Sequence, residues 1–175
     1  MSAPEQACGL LLLGAGGHGR VVADIANSLG WQDIRFLDDR WPELRQNLVW
    51  PVIGKTGELD SFEYGERWVF VTVGDNGSRL RLLRRLQQRG CRIPVLVHPS
   101  AVVSRHATLG AGSVVMPNAV VNAGAVLGDG AIVNTGATVD HDCRLADGVH
   151  VSPGANLAGG VGVGEASWIG IGAAI

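Results

Sequence analysis

An aliphatic residue recurs at every sixth position in the C-terminal part of the chain, and this period limits the possible folds more than any other feature. The series has no gap and consists of Val103, Leu109, Val115, Val121, Leu127, Val133, Val139, Leu145, Val151, Leu157, Val163, Ile169 and Ile175. A small residue or a valine stands two places before each of them. Because six residues are too few for a helical repeat, each unit is predicted to be one short strand and a turn. Three units would form a triangular coil of about 18 residues with the aliphatic side chains inside, and the segment is long enough for about four coils.

The repeat resembles the hexapeptide-repeat family, in which such coils form a left-handed parallel β-helix. The left hand is implied by the resemblance alone, because the general rule for crossovers between parallel strands favours a right hand. The last residue, Ile175, falls on an inward position of the repeat. Since the ends of solenoids need a cap, we expect either that further C-terminal coils and a cap belong to the protein or that a partner covers this end.

Charge divides the chain into two parts. Residues 99–175 contain only two of the 14 Lys and Arg residues, Arg105 and Arg144, and this difference predicts one domain over residues 1–98 and a second over residues 99–175. The hydrophobic fraction of 46% excludes a disordered chain, and a net charge of −2 gives no reason to expect nucleic acid as a partner. The apolar run Cys8–Leu13 is too short for a signal peptide or a membrane span. Together with three scattered cysteines, these features predict a cytoplasmic protein without membrane insertion.

The N-terminal part contains a glycine-rich turn between a predicted strand and a predicted helix. Gly14, Gly16 and Gly19 fit the G-x-G-x-x-G pattern, after an apolar run over 10–13 and before a helical pattern over about 18–29. Further strands are predicted over 34–37, 67–73 and 93–97, and a further helix over 77–90. This order predicts a Rossmann-like α/β domain with a parallel sheet, whose strand ends meet at the edge where such sheets bind ligands.

Three interpretations of the glycine turn remain open. It could belong to an NAD site, although about 95 residues make only half of the doubly wound fold. It could serve only the tight turn of the backbone. The third interpretation, which we favour, is that N–H groups at the helix start hold the phosphates or sugar of a nucleotide-linked small molecule. Asp38 or Asp39, at the end of the second strand, would then accept hydrogen bonds from the ribose or the base.

The predicted helix over 77–90 is rich in arginine. Its arginines are Arg79, Arg81, Arg84, Arg85 and Arg89. Leu80, Leu83 and Leu86 fall at helical spacing, so the arginines are expected mostly on the opposite face. A solvated face is favoured over a patch that binds phosphate or RNA.

One turn of the repeat has the sequence Asp-His-Asp-Cys and carries candidate chemistry. By the register Cys143 takes the small corner position, which favours packing over a nucleophilic thiol. His141 and Asp142 take the two outward positions. An outward histidine beside a carboxylate can act as a general base, with Asp142 or Asp140 orienting the ring and stabilising the imidazolium. The alternative is an incidental surface imidazole.

A second histidine, His150, lies half a coil further along, on a different face of the predicted prism. In a single chain the side chains of His141 and His150 would not share a site. In neighbouring subunits they could, so we expect an assembly with sites at its interfaces.

Six segments carry a more specific resemblance, which extends from about residue 8 to residue 175. They are GAGGHGRVVADIA, FLDD, PVIG, VTVGDN, HPSA and, most specific, NTGATVDHDCRLADGVHVSPGANLAGGVGVG. They are similar to segments of the bacterial sugar acyltransferases of the sialic-acid O-acetyltransferase and UDP-4-amino-sugar N-acetyltransferase type. The resemblance implies a homotrimer of glycan biosynthesis that moves an acetyl group from acetyl-CoA to the amine or hydroxyl of a nucleotide-linked sugar, such as a UDP-sugar, by direct attack and without a metal.

The resemblance also implies roles for individual residues. His141 would be the proton acceptor, and Asp142 would raise its basicity. The residues implied to contact acetyl-CoA are His150, Asn134, Gly170 and Ile171. The residues implied to hold the nucleotide-sugar are Gly16, Gly17, His18, Asp38, Asp39 and Gly74.

Three other functions fit parts of the sequence. A zinc hydratase resembling the gamma-class carbonic anhydrases uses the same kind of β-helix with three histidines at subunit interfaces, but it does not explain the α/β domain. A non-catalytic nucleotide-sugar-binding protein would bind the sugar and release no CoA thiol. An NAD-linked enzyme would bind a nicotinamide cofactor through the first domain.

Overall fold

The structure, a computed structural model, describes residues 9–60 and 68–175, and the predicted segments that include Cys8 and Arg67 extend beyond these ranges. The described residues form two compact units. The first comprises the chain up to Gly74 together with Leu82–Pro94, and the second comprises Asp75–Arg81 together with Val95–Ile175.

The first unit contains a five-stranded sheet. Its strands are β1 (Leu10–Leu13), β2 (Ile34–Leu37), β3 (Gln46–Asn47), β4 (Trp50–Gly54) and β5 (Trp68–Val71), in the order β3-β4-β2-β1-β5. All neighbours are parallel except β3, which is antiparallel to β4. The helices are α1 (Gly17–Ser28), a 3₁₀ helix (Thr56–Asp60) and α2 (Asn76–Gln88). The first turns of α2 belong to the second unit.

Apolar sequence explains why β1 lies at the centre of this sheet. Its four leucines are at most 2% exposed, as expected for a central parallel strand that is covered on both faces. Helix α1 buries Val22, Ile25 and Ala26, which are spaced three or four residues apart and so share one face. The predicted Rossmann-like parallel sheet is confirmed.

The second unit is a left-handed β-helix made of two-residue strands. They are β6 (Leu96–Val97), β7 (Val102–Val103), β8 (Thr108–Leu109), β9 (Val114–Val115), β10 (Val120–Val121), β11 (Val126–Leu127), β12 (Ile132–Val133), β13 (Thr138–Val139), β14 (Arg144–Leu145), β15 (His150–Val151), β16 (Asn156–Leu157), β17 (Gly162–Val163) and β18 (Trp168–Ile169). They form three parallel sheets in the orders β16-β13-β10-β7, β17-β14-β11-β8 and β18-β15-β12-β9-β6. The sixth-position aliphatic residues from Val115 to Leu157 are buried in one core, which confirms the predicted architecture.

The corners of the β-helix require an unusual backbone conformation. A positive φ recurs at every sixth residue, at Gly112, Asn118, Gly124, Gly130, Gly136, Asp142, Gly148, Gly154, Gly160, Ala166 and Gly172. Glycine adopts this left-handed conformation without steric cost, and Asn and Asp tolerate it better than other residues. The corner geometry therefore accounts for eight of the 26 glycines in the sequence.

One predicted strand belongs to the other unit. The strand expected over 93–97 in the α/β sheet is β6, which pairs with β9 and places Val97 opposite Val115. The physical reason is in the repeat itself, because Val97 lies six residues before Val103 and so continues the inward series. The β-helix therefore begins one repeat before Val103, the first residue of the predicted series. The domain boundary between residues 98 and 99 stays a prediction.

Candidate functional site

His141 and Asp142 lie in the turn between β13 and β14, on the outer surface of the β-helix. Their side chains are 64% and 73% exposed, and His141 Nδ1 lies 2.9 Å from Asp142 Oδ2. Because a carboxylate can only accept, Nδ1 donates this hydrogen bond and Nε2 keeps a lone pair. The hydrogen bond to Asp142, and then the charge of Asp140, raise the pKa of His141 above its ordinary value. The pair is arranged to accept a proton at Nε2.

The two aspartates beside His141 have different tasks. Asp140 Oδ1 accepts the backbone N–H of His141 at 2.7 Å and the side-chain amide of Asn122 at 2.9 Å. These hydrogen bonds lower the pKa of Asp140, so it stays a carboxylate near neutral pH. The sequence left open which aspartate orients the ring. In the structure Asp142 contacts the ring, and Asp140 fixes the backbone that carries it.

The backbone of Asp142 is in a strained conformation. Its φ is 59°, in the left-handed region that most corners of this β-helix reserve for glycine. Its backbone N–H donates to the carbonyl of Ala123 in the preceding coil at 3.2 Å. A non-glycine residue in this region costs about 1–3 kcal/mol, and such outliers concentrate at functional sites.

His150 lies in β15 in a polar contact with Asn134. His150 Nε2 is 3.0 Å from Asn134 Nδ2, while Asn134 Oδ1 accepts the backbone N–H of Thr135 at 2.8 Å. The second contact fixes the amide orientation, so Nδ2 donates to His150 and the remaining proton of the neutral ring lies on Nδ1. The indole of Trp168 stacks on the imidazole, with the ring centroids 5.3 Å apart.

Burial keeps the ring of His150 neutral. The residue is 9% exposed, and this burial, followed by the charge of Arg79, lowers its pKa to about 4. Within the described part of the chain, His150 Nδ1 is buried and has no hydrogen-bond partner. A buried donor of this kind is costly unless a ligand or a water pairs with it. His141 lies at the corner between the sheets of β13 and β14, whereas His150 lies in the third sheet, so the two rings are on different parts of the β-helix.

Arg79 is the exception to the solvated face on which most arginines of α2 are expected and found. Arg81, Arg84, Arg85 and Arg89 are exposed, but Arg79 is only 1% exposed. It lies one turn before Leu83, so it shares the buried face of the helix.

The Arg79 guanidinium binds backbone carbonyls at one corner of the β-helix. It donates to the carbonyls of Gly130 at 2.9 Å and Gly148 at 2.7 Å and to Asn76 Oδ1 at 2.7 Å. Asn76 Nδ2 in turn donates to the carbonyl of Ala166 at 3.0 Å. These hydrogen bonds attach the first turn of α2 to the coils that carry His150.

Cys143 packs in the core of the β-helix. It is fully buried, and its thiol donates to the carbonyl of Ala158 at 3.1 Å. This environment agrees with the packing role that the register favoured. In the last coil Ile171 is 82% exposed, and the space beside Gly170 is open.

Two glycines of the motif in the first unit, Gly14 and Gly19, have distinct structural reasons. Gly14 has φ +111°, and a Cβ on Gly19 would collide with the Gly14 carbonyl. The first therefore makes the turn, and the second lets α1 pack against β1. Neither the tight turn nor close packing explains Gly16 and Gly17, because neither φ is positive and nothing lies within 4 Å of a Cβ on either residue. The open space at the N-terminus of α1 suits a ligand that approaches backbone N–H groups.

Asp38 is engaged by the turn itself. Its Oδ2 accepts the backbone N–H of Ala15 at 2.7 Å, and its Oδ1 accepts from the backbone and side chain of Arg40 at 3.0 and 2.8 Å. The hydrogen bond from the Arg40 side chain is the main reason that the pKa of Asp38 falls to about 2. Asp38 is 8% exposed, so its first task is to hold the turn in shape.

Sequence reasoning missed Asn47, which supports the same turn from β3. Asn47 is 3% exposed, and its Nδ2 donates to the carbonyls of Ala15 and Gly16, each at 3.1 Å. Its Oδ1 accepts from Arg20 Nε at 2.8 Å. No local pattern singles out this asparagine, because its contacts are formed only when β3 lies beside the turn.

The other residues predicted to hold a nucleotide-sugar lie in the same unit. His18 lies in the first turn of α1, and Gly74 is exposed just after β5. Asp39 is exposed and accepts from the backbone N–H of Thr56 at 3.1 Å and from its hydroxyl.

Over residues 9–60 and 68–175, no group of three or more His, Cys, Asp or Glu side chains is arranged to hold a metal ion. None of the helices in these ranges is long and apolar enough to cross a membrane.

Both parts of the chain match known families. Residues 9–86 match the PglD N-terminal domain, and residues 106–141 match the bacterial transferase hexapeptide repeats. The acetyltransferase domain of PglB from Neisseria gonorrhoeae, solved in complex with acetyl coenzyme A, is 50% identical with a TM-score of 0.90, and the match covers 94% of this chain and 80% of that chain. The chain belongs to the bacterial hexapeptide-repeat sugar acyltransferase family.

Two other relatives are similar to this chain, one over nearly its whole length and one over a shorter part. PerB from Caulobacter crescentus, solved with CoA and GDP-perosamine, is 40% identical with a TM-score of 0.89, and the match covers 96% of this chain and 80% of that chain. The UDP-N-acetylbacillosamine N-acetyltransferase of Bacillus subtilis is 35% identical over 113 residues, which are 60% of this chain. The match spans 50% of the length of that curated relative. The family predicted from the sequence is confirmed.

Proposed function

We propose that the protein transfers the acetyl group of acetyl-CoA to the amine of a nucleotide-linked sugar, with His141 as the general base. The observation that carries this proposal is the exposed pair in which His141 Nδ1 donates to Asp142 at 2.9 Å and Nε2 is left to accept a proton. The names of the relatives from Bacillus and Caulobacter describe an N-acetyltransferase and a complex with an amino-sugar nucleotide, which favours an amine acceptor over a hydroxyl.

The nucleotide-sugar is proposed to bind at the glycine turn of the first unit. Gly16 is the N-cap of α1 and Gly17 and His18 are its first residues, where the N–H groups of a helix start and the helix dipole favour phosphate. Asp38 contributes by holding the turn, since its carboxylate is already hydrogen-bonded within it. Asp39, just after β2, is exposed and is the better acceptor for hydrogen bonds from ribose or base, and Gly74 follows β5, on the other side of β1 in the sheet.

Acetyl-CoA is proposed to bind near His150. The neutral imidazole has a buried Nδ1–H without a partner in the described chain, which suits the carbonyl oxygen of a thioester and the charge that develops on it. Asn134 fixes the ring so that this N–H keeps its direction. Gly170 and Ile171 present an open, apolar surface that fits the CoA arm.

The chemistry needs one proton acceptor and no covalent intermediate on the protein. The amine nitrogen attacks the thioester carbon, and His141 Nε2 removes the proton from nitrogen as the C–N bond forms. The carbon–sulfur bond then breaks, and the imidazolium returns the proton to the leaving CoA thiolate. Positioned general-base catalysis of this kind contributes about 10²–10⁴-fold to the rate.

We place the active site between the subunits of a homotrimer in the cytoplasm. The reason for the interface is geometric, because His141 lies at the corner between two sheets of the β-helix and His150 lies in the third sheet. The base of one subunit and the His150 ring of its neighbour can face the same substrate only across an interface.

The proposal is tested by measuring release of CoA thiol with a panel of UDP-, GDP- and CMP-linked sugars, each with and without a 4-amino group. Release is expected with at least one amino-sugar and not with its deamino analogue. Binding of a nucleotide-sugar without any thiol release across the panel would favour a non-catalytic binding protein instead.

His141→Ala is expected to abolish turnover while leaving nucleotide-sugar binding intact, because the variant removes the proton acceptor and no part of the glycine turn. His106→Ala is the matched control, since His106 is also an exposed histidine at a corner of the β-helix and should be replaceable. Thiol release at a near-normal rate by His141→Ala would refute the assignment of the base.

A further inference from the structure

The turn that carries His141 and Asp142 is enclosed by the equivalent turns of the coils before and after it. Asp142 donates its backbone N–H to Ala123, and Gly160 donates its own to the His141 carbonyl at 2.8 Å. Residues 18 positions apart therefore stack at this corner, as the strand pairing also requires. Above the ring of His141 lies Gly159, and below the carboxylate of Asp142 lies Gly124.

The imidazole of His141 occupies the space that a side chain at position 159 would fill. A Cβ on Gly159 would lie closest to Nε2, and it would lie 2.5 Å from Cε1 and 3.0 Å from Cδ2 of the ring. These separations are shorter than real contacts between heavy atoms, which are about 3.5–4.0 Å.

The backbone does not explain the glycine at position 159. The corner position with positive φ is its neighbour Gly160, at +75°, whereas Gly159 lies outside the left-handed region that favours glycine. Any residue could adopt the conformation of Gly159. The contact with the His141 ring is therefore the reason that this position excludes a side chain.

The other half of the pair is confined in the same way. A Cβ on Gly124 would collide with Oδ1 of Asp142. Gly124 also has φ +77°, so its backbone gives it a second reason to be glycine. The carboxylate of Asp142 therefore also occupies space that a side chain on the neighbouring coil would fill.

We propose that Gly159 is a positioning residue for the general base. Because Gly159 has no side chain, the His141 ring can occupy that space, with Nδ1 hydrogen-bonded to Asp142 and Nε2 open to the substrate. The inference rests on the proposed function of His141. A side chain at position 159 would displace the ring by about 1 Å, and errors of this size can cost about 10²-fold in rate.

The test is Gly159→Ala, compared with Gly162→Ala in the same coil. Gly162 also lacks a positive φ and has nothing within 4 Å of a Cβ, so its substitution adds the same methyl group in open space. For Gly159→Ala we expect kcat to fall about 10–100-fold, with the KM for the nucleotide-sugar unchanged. Gly162→Ala should keep the kcat and the KM of the wild-type protein.

A second measurement distinguishes positioning from general destabilisation. Asp142 raises the pKa of His141, so a ring displaced from Asp142 should titrate at lower pH, and the acid limb of the kcat/KM profile should move to lower pH with it. The titration of the His141 ring, followed by NMR on the folded protein without substrate, measures the same shift independently of turnover. An unchanged His141 titration and a wild-type kcat in Gly159→Ala would overturn the inference, as would an equal loss of kcat in Gly162→Ala.

The outcomes separate this inference from the function on which it rests. If His141→Ala retains activity, the proposed function fails. If His141→Ala is inactive and Gly159→Ala behaves as wild type, the proposed function stands and only the role of Gly159 fails.

Discussion

At Asp142, backbone stability and chemistry favour different residues. The corner of the coil has φ 59° there and favours glycine, but glycine would remove the carboxylate that accepts from His141 Nδ1. Aspartate satisfies both demands in part, since it tolerates the left-handed region better than most residues. A residue kept at a cost to the backbone is best explained by the contact that it makes.

Asp142→Asn tests the charge of this carboxylate at constant shape. Asparagine tolerates the same backbone and can still accept from Nδ1, but its neutral amide replaces the hydrogen bond to a carboxylate that is the main reason why the pKa of His141 lies above its ordinary value. The protonated ring then loses stabilisation and the pKa of His141 falls, so the acid limb of the kcat/KM profile should move to lower pH. We expect the maximal rate to fall about tenfold or more, because the imidazolium formed during proton transfer is less stabilised.

Asp142→Gly is the matched comparison, because it relieves the backbone and removes the contact. It should lose at least as much activity as Asp142→Asn while its Tm rises above that of the wild type. A pH profile of Asp142→Asn that coincides with the wild-type profile would contradict the role given to the charge.

Among the elements, the hairpin of β3 and β4 does more than extend the sheet. Through Asn47 it binds the carbonyls of Ala15 and Gly16, and Asp38 at the end of β2 binds the N–H of Ala15. The glycine turn is thus held from two elements that follow it in sequence. A ligand at the start of α1 meets backbone groups whose positions are fixed in advance, which lowers the entropy lost on binding.

Asn47→Ala is predicted to raise the KM for the nucleotide-sugar about tenfold, which corresponds to a loss of about 1.4 kcal/mol of binding free energy. The KM for acetyl-CoA should stay unchanged. The physical reason is that two carbonyls and Arg20 lose a buried partner and the turn loses its fixed shape. Steady-state kinetics with each substrate varied in turn measures both constants.

Gln46→Ala is the control for this experiment, because Gln46 is the exposed neighbour in the same strand. It should change neither constant. Equal increases in both KM values for Asn47→Ala would indicate general destabilisation and would contradict a specific role at the turn.

The whole molecule brings together two kinds of architecture, each with its own candidate site. In the first unit the site is a backbone turn at a helix start, and in the second it is a pair of side chains at a corner of a repeat. The β-helix also separates the two histidines, with His141 at the corner between two sheets and His150 in the third sheet. In the function that we propose, a reaction that uses both rings depends on assembly.

Subunit mixing tests that dependence. His141→Ala and His150→Ala are each expected to be nearly inactive alone. If each active site combines His141 of one subunit with His150 of its neighbour, trimers reassembled from equal amounts of both variants should recover about one quarter of the wild-type activity, because about one interface in four is intact. The measurement is thiol release after co-refolding or co-expression, with the trimer verified by light scattering. No recovery in verified mixed trimers, or full activity in a monomer, would contradict a shared site.

Much of the fold could be predicted from local patterns. A period of six can be read along the chain because each repeat meets the same surroundings, so the inward series from Val103 specified the β-helix and placed His141 and Asp142 outside. The glycine spacing specified the strand, turn and helix that begin the first unit. The same series also contained Val97, and extending it by one repeat would have assigned β6 to its sheet.

The sequence by itself determined the two architectures and the outward position of the Asp-His-Asp turn, because periodicity and glycine spacing act through neighbouring residues and stacked copies of one unit. Only the tertiary structure decided the burial of Arg79, the support of the glycine turn by Asn47, the neutral state of His150 and the packing of the His141 ring against Gly159. Each of these depends on atoms from a different coil or element. Such contacts depend on distances between elements, which no pattern within one segment contains.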